Sequence, residues 1–251
     1  MNSKRKRKSD RTEKYTHLLY GLICGFLNGL FGSGGGTVAV PAFEKNGTEP
    51  KKAHASSVAL IFVLSLVTAV IYLINGKLDF GTALEYIPYG LIGAILGSFL
   101  LGKIPDRLKD NIRSAYDCKR SEDDIMNILV GILTGATASM GLGGGFILLV
   151  YLSVFTEIPQ DIAQGINLLF FLPIALLSLV IHIKNKLTDL KLVGKYLILG
   201  LPCAVVGSYV AGITDVAVLR KLFGIFVLYI GINQLYVSFS NKPCKKGSDS
   251  K

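Results

Sequence analysis

Charge is scarce where this sequence is apolar. Only 18% of its 251 residues are charged, against 51% that are hydrophobic, and the 27 Lys and Arg and 17 Asp and Glu sit mainly in loops and tails. Glu85 and Lys195 stand near the starts of their apolar stretches, and almost nothing else charged lies within one. A fixed buried charge is therefore not expected as the main ligand of any site. Cysteine is as sparse: Cys24 and Cys203 lie in apolar segments, Cys118 in a loop and Cys244 in the tail. With no C-x-x-C pair and no zinc-like spacing, they suggest neither a metal site nor a disulfide framework. No nucleophile, metal cluster or acid pair assembles in the apolar stretches, so no enzyme and no cofactor are expected. The net charge of +10 is not spread as a nucleic-acid-binding surface needs.

What is present in quantity is long apolar sequence. Phe80 to Gly102, Ile125 to Phe155, Leu192 to Gly212 and Leu219 to Phe239 each reach the roughly twenty residues with which a helix crosses about 30 Å of hydrocarbon. Buried helices of a soluble core are usually shorter and carry a polar stripe near period 3.6. The expected fold class is an all-α integral membrane protein, in contact with the lipid bilayer.

Lys4, Arg5, Lys6, Arg7, Lys8, Arg11 and Lys14 precede the first apolar stretch. By the positive-inside rule that places the N-terminus in the cytoplasm. The following run continues through Gly-rich sequence to Val40 and Pro41, unlike a short signal peptide ending in a cleavage site.

The chain repeats itself. Gly32-Ser33-Gly34-Gly35-Gly36 recurs as Gly141-Leu142-Gly143-Gly144-Gly145. Beyond the glycines, Ala53, Leu66, Val70-Ile71 and Asn75 match Ala163, Leu176, Val180-Ile181 and Asn185 at a constant offset of 110. Tyr86, Gly90, Gly97-Ser98 and Gly102 meet Tyr196, Gly200, Gly207-Ser208 and Gly212 at the same offset. Two repeated halves of about three to four transmembrane helices are expected, each opening on a Gly-broken segment. The organisation reads as a basic cytoplasmic tail (1–16), a first repeat (17–102), a charged linker (103–125), a second repeat (126–240) and a polar tail (241–251). The counterpart of the last apolar helix, Ile104 to Asp124, is charged and reads as a linker or interfacial helix.

Seven single crossings would place Lys103, Arg107, Lys109, Arg113, Lys119 and Arg120 outside, against the charge bias. If each Gly-rich segment enters and returns as a broken hairpin, that linker and the loop with Lys51 and Lys52 fall inside. The second topology is preferred.

Backbone groups in a bilayer need partners, so a glycine cluster that breaks a helix is tolerated only where it is buried in protein or lines a cavity. Gly-interrupted segments at matching positions of two repeats point to a central transport site. Helices restarting at about Thr37 and about Phe146 would turn free N–H groups and a positive dipole end toward an anion. The candidate site comprises Gly32, Ser33, Gly34, Gly35 and Gly36 with Gly141, Gly143, Gly144 and Gly145, joined by Asn28, Thr37, Ser56, Ser57, Ser139 and Asn167. The polar members serve equally well as helix caps or interhelical hydrogen-bond partners. Gly21, Gly25 and Gly29, like Gly131 and Gly135, are spaced by four and read as close-packing faces. Walker and dinucleotide-binding patterns fail, because Thr37-Val38 stands where Lys-Ser/Thr is needed and neither copy has G-x-G-x-x-G spacing. His54 and His182 suit proton coupling, but near helix ends both read as water-exposed interfacial residues.

The run Gly21 to Gly36, its second copy from Gly131 to Gly145, and Ala53-His54-Ala55-Ser56-Ser57 resemble the TauE/SafE family of membrane proteins, also called the sulfite exporter family. The resemblance covers about residues 18 to 240. It implies a multi-pass plasma-membrane transporter of small sulfur-containing or organic anions such as sulfite, sulfoacetate or thiosulfate-like species. Members commonly have about eight spans, of which the fourth is missing here, and Ile166-Asn167 stands where the resemblance implies Thr and Ser in the second copy. A secondary transporter of a small anion is the leading expectation. A membrane subunit of a larger complex, or a carrier of another small solute, stands beside it.

Overall fold

The computed structural model describes residues 2–32, 34–103, 123–140, 145–156 and 158–240. They form α1 (Asn2–Phe31), α2 (Gly35–Lys45), α3 (Pro50–Ile74), α4 (Phe80–Lys103), α5 (Asp123–Ser139), α6 (Gly145–Phe155), α7 (Gln160–Lys184), α8 (Leu190–Ile213) and α9 (Val216–Ser240). The fold is all-helical among the described residues. Four helices, Pro50–Ile74, Gln160–Lys184, Leu190–Ile213 and Val216–Asn233, are long and apolar enough to cross a membrane. Their outward faces stay apolar: Leu73, Ile198, Tyr209, Ile225, Leu228 and Ile232 are all exposed, as suits side chains facing lipid.

Each Gly-rich segment is two helices. Gly32 ends α1 with φ +76, the left-handed geometry that closes a helix at little cost only for glycine, while its N–H still bonds Asn28 O at 2.8 Å. The chain then folds back. A Cβ on Gly35 would lie 2.8 Å from Cys24 O, and at the other end of α2 the Phe43 ring sits 4.7 Å from Tyr196, whose ring is also 5.3 Å from the tilted His17 ring near the start of the apolar part of α1. Lys45 Nζ reaches Tyr20 Oη at 3.4 Å. The pair α1–α2 is thus a hairpin with both mouth ends on one face. The helix restarts at Gly35 and Gly145, slightly earlier than the sequence suggests, because glycine is tolerated in the first turn where N–H groups lack intrahelical partners anyway.

Helices α2, α3 and α4 have 11, 25 and 24 residues, and α6, α7 and α8 the same lengths. The turns match as well. Asn75, Gly76 and Lys77 bond back to Ile71, Leu73 and Tyr72, as Asn185, Lys186 and Leu187 do to Ile181, Ile183 and His182. Asp79 receives the Thr82 N–H and hydroxyl at 3.2 and 2.7 Å, and Asp189 receives the N–H groups of Lys191 and Leu192. Those Thr82 bonds hold the Asp79 carboxyl below its ordinary range.

The glycine faces decide which helices meet. A Cβ on Gly21, Gly25 or Gly29 would strike the carbonyls of Tyr196, Gly200 and Ala204, so α1 lies against α8 at backbone contact and runs parallel to it. Gly131 meets Tyr86 O, and Gly135 meets Gly90 O, giving the same arrangement for α5 on α4. Each pair joins a helix before the linker to one after it. The two halves are therefore interlocked and share two apolar clusters: in one, Phe31, Ile61, Tyr72 and Tyr86 pack with Leu148, Ile166, Phe170 and Phe171, and in the other Phe43 and Leu60 pack with Val193 and Tyr196.

Helices α3 and α7 cross antiparallel at the centre. At one end Tyr72 bonds Gln164 and Lys77 pairs with Asp161; at the other the Asp189 N–H donates to Ser56 Oγ. One face thus carries Lys45, Lys51, Lys52, Lys186, Lys191 and Lys195, and the other Lys77, Asp79, Asp161, Asp215, Arg220 and Lys221. Because α4 and α5 run the same way, Lys103 and Asp123 lie at opposite faces. Residues 104–122, expected as a linker held at one face, lie outside the described residues.

Candidate functional site

The two glycine breaks converge on one stretch of α7. Gly32, at the tip of the first hairpin, sits where a Cβ would be 3.1 Å from Gln164 O and 3.3 Å from the Leu168 side chain. Gly145, which opens α6, sits where a Cβ would be 2.5 Å from Asn167 Oδ1 and 2.8 Å from its Nδ2. Gln164, Asn167 and Leu168 follow the i, i+3, i+4 spacing of a single helix face. Gln164 and Asn167 are both 0% exposed. Tyr72 donates to Gln164 Oε1 at 2.6 Å, while Gln164 Nε2 and both polar atoms of Asn167 have no hydrogen-bond partner among the described residues.

Around this point the remaining sequence candidates divide. Asn28 is buried, its amide 3.3 and 3.4 Å from the hydroxyls of Ser65 and Thr68, and it ties α1 to α3. Gly34 packs under the Phe226 ring of α9, which also stacks 5.0 Å from Phe31. Gly35 and Gly36 are buried at the start of α2. Thr37 donates to Gly34 O at 2.9 Å and so closes the first turn of its own helix. Ser57 donates to His54 O at 2.7 Å, Ser56 accepts from Asp189 N at 3.0 Å, and Ser139 donates to Ala136 O at 2.8 Å. These four hydroxyls are engaged in holding helices. Ser33, Gly141, Gly143 and Gly144 lie outside the described residues.

His182 corrects an expectation. It is 0% exposed, and its Nε2 donates to Ser139 O at 2.8 Å, because the end of α5 packs over the last turns of α7. His54 is part-buried. Gln164 and Tyr72 were not singled out from the sequence. The signal that could have found Gln164 is its polar amide three residues before Asn167 in an otherwise apolar run.

Two cavities open at the ends of the bundle. On the face of the hairpin mouth a cavity of about 620 Å³ is lined by His17, Lys45, Asn46, Glu49, Lys52, Asp189 and Lys195, among others. The opposite cavity, about 600 Å³, is lined by residues including Gln160, Asp215, Arg220 and Lys221. Below it, Gln160 accepts from Ser153 at 2.6 Å and Arg220 donates to the Ser153 carbonyl, joining α6, α7 and α9.

The sequence pattern of the family described as "Sulfite exporter TauE/SafE" matches residues 1–114 and 127–250. The chain belongs to this family. It is a multi-pass membrane protein of the TauE/SafE transporter type. A probable membrane transporter protein of Xylella fastidiosa (strain Temecula1) is 23% identical over 247 residues, covering 88% of this chain and 94% of the relative. The probable membrane transporter protein YunE of Bacillus subtilis (strain 168) is 34% identical over 103 residues, 38% of each chain. Sulfite exporter TauE/SafE family protein 5 of Arabidopsis thaliana is 28% identical over 105 residues, 41% of this chain and 23% of that protein. No solved structure matches this family member.

Proposed function

We propose that this TauE/SafE member is a secondary transporter of the cell membrane that exports a small anion, sulfite or an organosulfonate-like species, through a site between its two Gly-rich helix breaks. The observation that carries the reading is the convergence of Gly32 and Gly145 on the buried face of α7 that bears Gln164 and Asn167. Of the remaining site candidates, Asn28 and Gly34 to Gly36 lie in the same hairpin as Gly32, while Thr37 closes its own helix turn and Ser56, Ser57 and Ser139 hold helices toward the other end of the α3–α7 crossing. Ser33, Gly141, Gly143 and Gly144 belong to the proposal through the sequence pattern. The functional unit is the pair of repeats, 17–102 and 126–240, with tails at either end and the charged segment between.

Sidedness supports export. The face with the N-terminal mouth collects Lys45, Lys51, Lys52, Lys186, Lys191 and Lys195, and by the positive-inside rule it is cytoplasmic. Its cavity, with three lysines against Glu49 and Asp189, raises the local concentration of anions. A monovalent anion leaving a cell with a negative interior gains about 2.3 kcal/mol per 100 mV.

The test is flux in proteoliposomes holding the purified full chain, comparing sulfite, sulfate, thiosulfate and a sulfonate under an imposed potential and, separately, a pH gradient. Selective sulfite or sulfonate flux that is lost in Gly145→Leu is the expected result. Absence of flux for every anion would overturn the reading.

A further inference from the structure

The convergence on α7 carries a further inference, which rests on the reading that a small anion binds there. Three amide atoms on that face, Gln164 Nε2, Asn167 Nδ2 and Asn167 Oδ1, are buried without a hydrogen-bond partner among the described residues. Buried polar groups in native proteins are almost always paired, and leaving one unpaired is costly, so three together on one helix face ask for a ligand. The orientation of Gln164 is fixed, since Tyr72 donates to its Oε1 at 2.6 Å and leaves the NH₂ end as the free donor. Beside Asn167, α6 begins at Gly145, and the first N–H groups of a helix have no partner within it.

The charge of this surface is as informative as its donors. Both amides are neutral, and the helix start contributes only partial positive charge. The acidic residue on α7, Asp161, stands one turn before Gln164; its Oδ2 pairs with Lys77 at 3.0 Å, so the lysine offsets its charge, while its Oδ1 is buried without a hydrogen-bond partner among the described residues. Removing an ion from water becomes far more expensive as its charge rises, and a second negative charge is tolerated in a buried site only opposite a cation. Neutral donors can repay the desolvation of one charge. The remaining Asn167 Oδ1 accepts a hydrogen bond, which the hydroxyl of a singly protonated oxyanion would supply.

We infer that Gln164 and Asn167 are the ligand-binding side chains of the site, and that with the N-terminus of α6 they select singly charged oxyanions over doubly charged ones. Methanesulfonate and sulfate are suitable probes of charge because each keeps its charge near neutral pH and neither carries a hydroxyl, so the Asn167 Oδ1 contact does not enter the comparison. In proteoliposomes of the full chain with the membrane potential clamped at zero, methanesulfonate uptake should exceed sulfate uptake by about tenfold or more. Gln164→Glu and Asn167→Asp preserve side-chain shape but add a negative charge. Each should cut methanesulfonate uptake at least as strongly while the protein still elutes as a single species.

Sulfate carried as fast as methanesulfonate would overturn the charge selection and leave anion transport standing. Wild-type methanesulfonate uptake in both carboxylate variants would overturn the assignment of the two amides. If neither anion moves while a neutral or cationic solute does, the anion reading itself falls, and this inference with it. Should a variant elute as aggregate, methanesulfonate protection of the wild-type protein against thermal unfolding, with none from sulfate, tests the same selection. Equal protection by both anions would again overturn it.

Discussion

Tyr72 of α3 donates its phenolic hydrogen to Gln164 of α7 across 2.6 Å, and both side chains lie in the core at the crossing of the two central helices. One hydrogen bond thereby joins the two halves of the chain and fixes Gln164 Oε1 as the bonded end of its amide. Tyr72→Phe removes the bond with almost no change of volume. A lost hydrogen bond of about 1 kcal/mol corresponds to a roughly fivefold weaker KM for the transported anion, with turnover little changed. Initial-rate transport kinetics check this; an unchanged KM would show that the phenol does not position Gln164.

The glycine faces make a sharper structural prediction. Side chains at Gly25 and Gly135 would run into the carbonyls of Gly200 and Gly90. Gly25→Leu and Gly135→Leu should each separate a parallel helix pair and abolish the monodisperse folded protein in detergent. Gly194 on α8 has open space around it, so Gly194→Ala should elute normally and be neutral or slightly stabilising. Size-exclusion profiles of the three variants decide the matter.

One turn carries a non-glycine residue in a glycine position. Lys186 has φ +55, whereas its counterpart Gly76 has φ +66. Left-handed geometry costs a residue with a Cβ about 1 kcal/mol, so Lys186→Gly should raise the midpoint of thermal unfolding by a few degrees. Gly76→Ala should lower it. A thermal-shift series on the detergent-purified variants measures both.

Sidedness follows from the helix directions. Lys51 and Lys221 are both exposed and sit at opposite faces. With the native cysteines replaced, Lys221→Cys should react with a membrane-impermeant maleimide in intact cells, and Lys51→Cys only after the membrane is opened. Labelling of both in intact cells would contradict the antiparallel crossing of α3 and α7.

Acidification should weaken one cap. Hydrogen bonds from Thr82 lower the Asp79 carboxyl pKa in the folded protein, so this cap contributes stability above the ordinary aspartate range. That contribution disappears as pH falls through the lowered value. Asp79→Asn should therefore unfold with a shallower pH dependence on the acid side than the wild type, as read by thermal shift against pH.

Much of this was legible in the residues. Hydropathy and helix length mark the spans, because crossing hydrocarbon demands about twenty apolar residues in one helix. The glycine clusters at 32–36 and 141–145 announce broken helices, and Gly21, Gly25, Gly131 and Gly135 announce close packing. All of these depend on spacing within one segment. Ser57 and Thr37 show the limit: their hydroxyls suit a ligand on paper, yet each bonds a carbonyl three residues earlier.

The sequence by itself determined a helical membrane protein of this family, with its helices broken at two glycine clusters and small residues where backbones approach. The tertiary structure alone decided that α1 seeks α8 and α5 seeks α4, that His182 is buried under the end of α5, and that Gln164 Nε2 and both polar atoms of Asn167 are buried without a partner among the described residues. The physical reason is range. Hydropathy and glycine spacing act along one helix, whereas the partner of a buried polar atom is set by residues far away in sequence, as the Tyr196 hydroxyl illustrates by donating to Ala42 O at 3.4 Å across 154 positions.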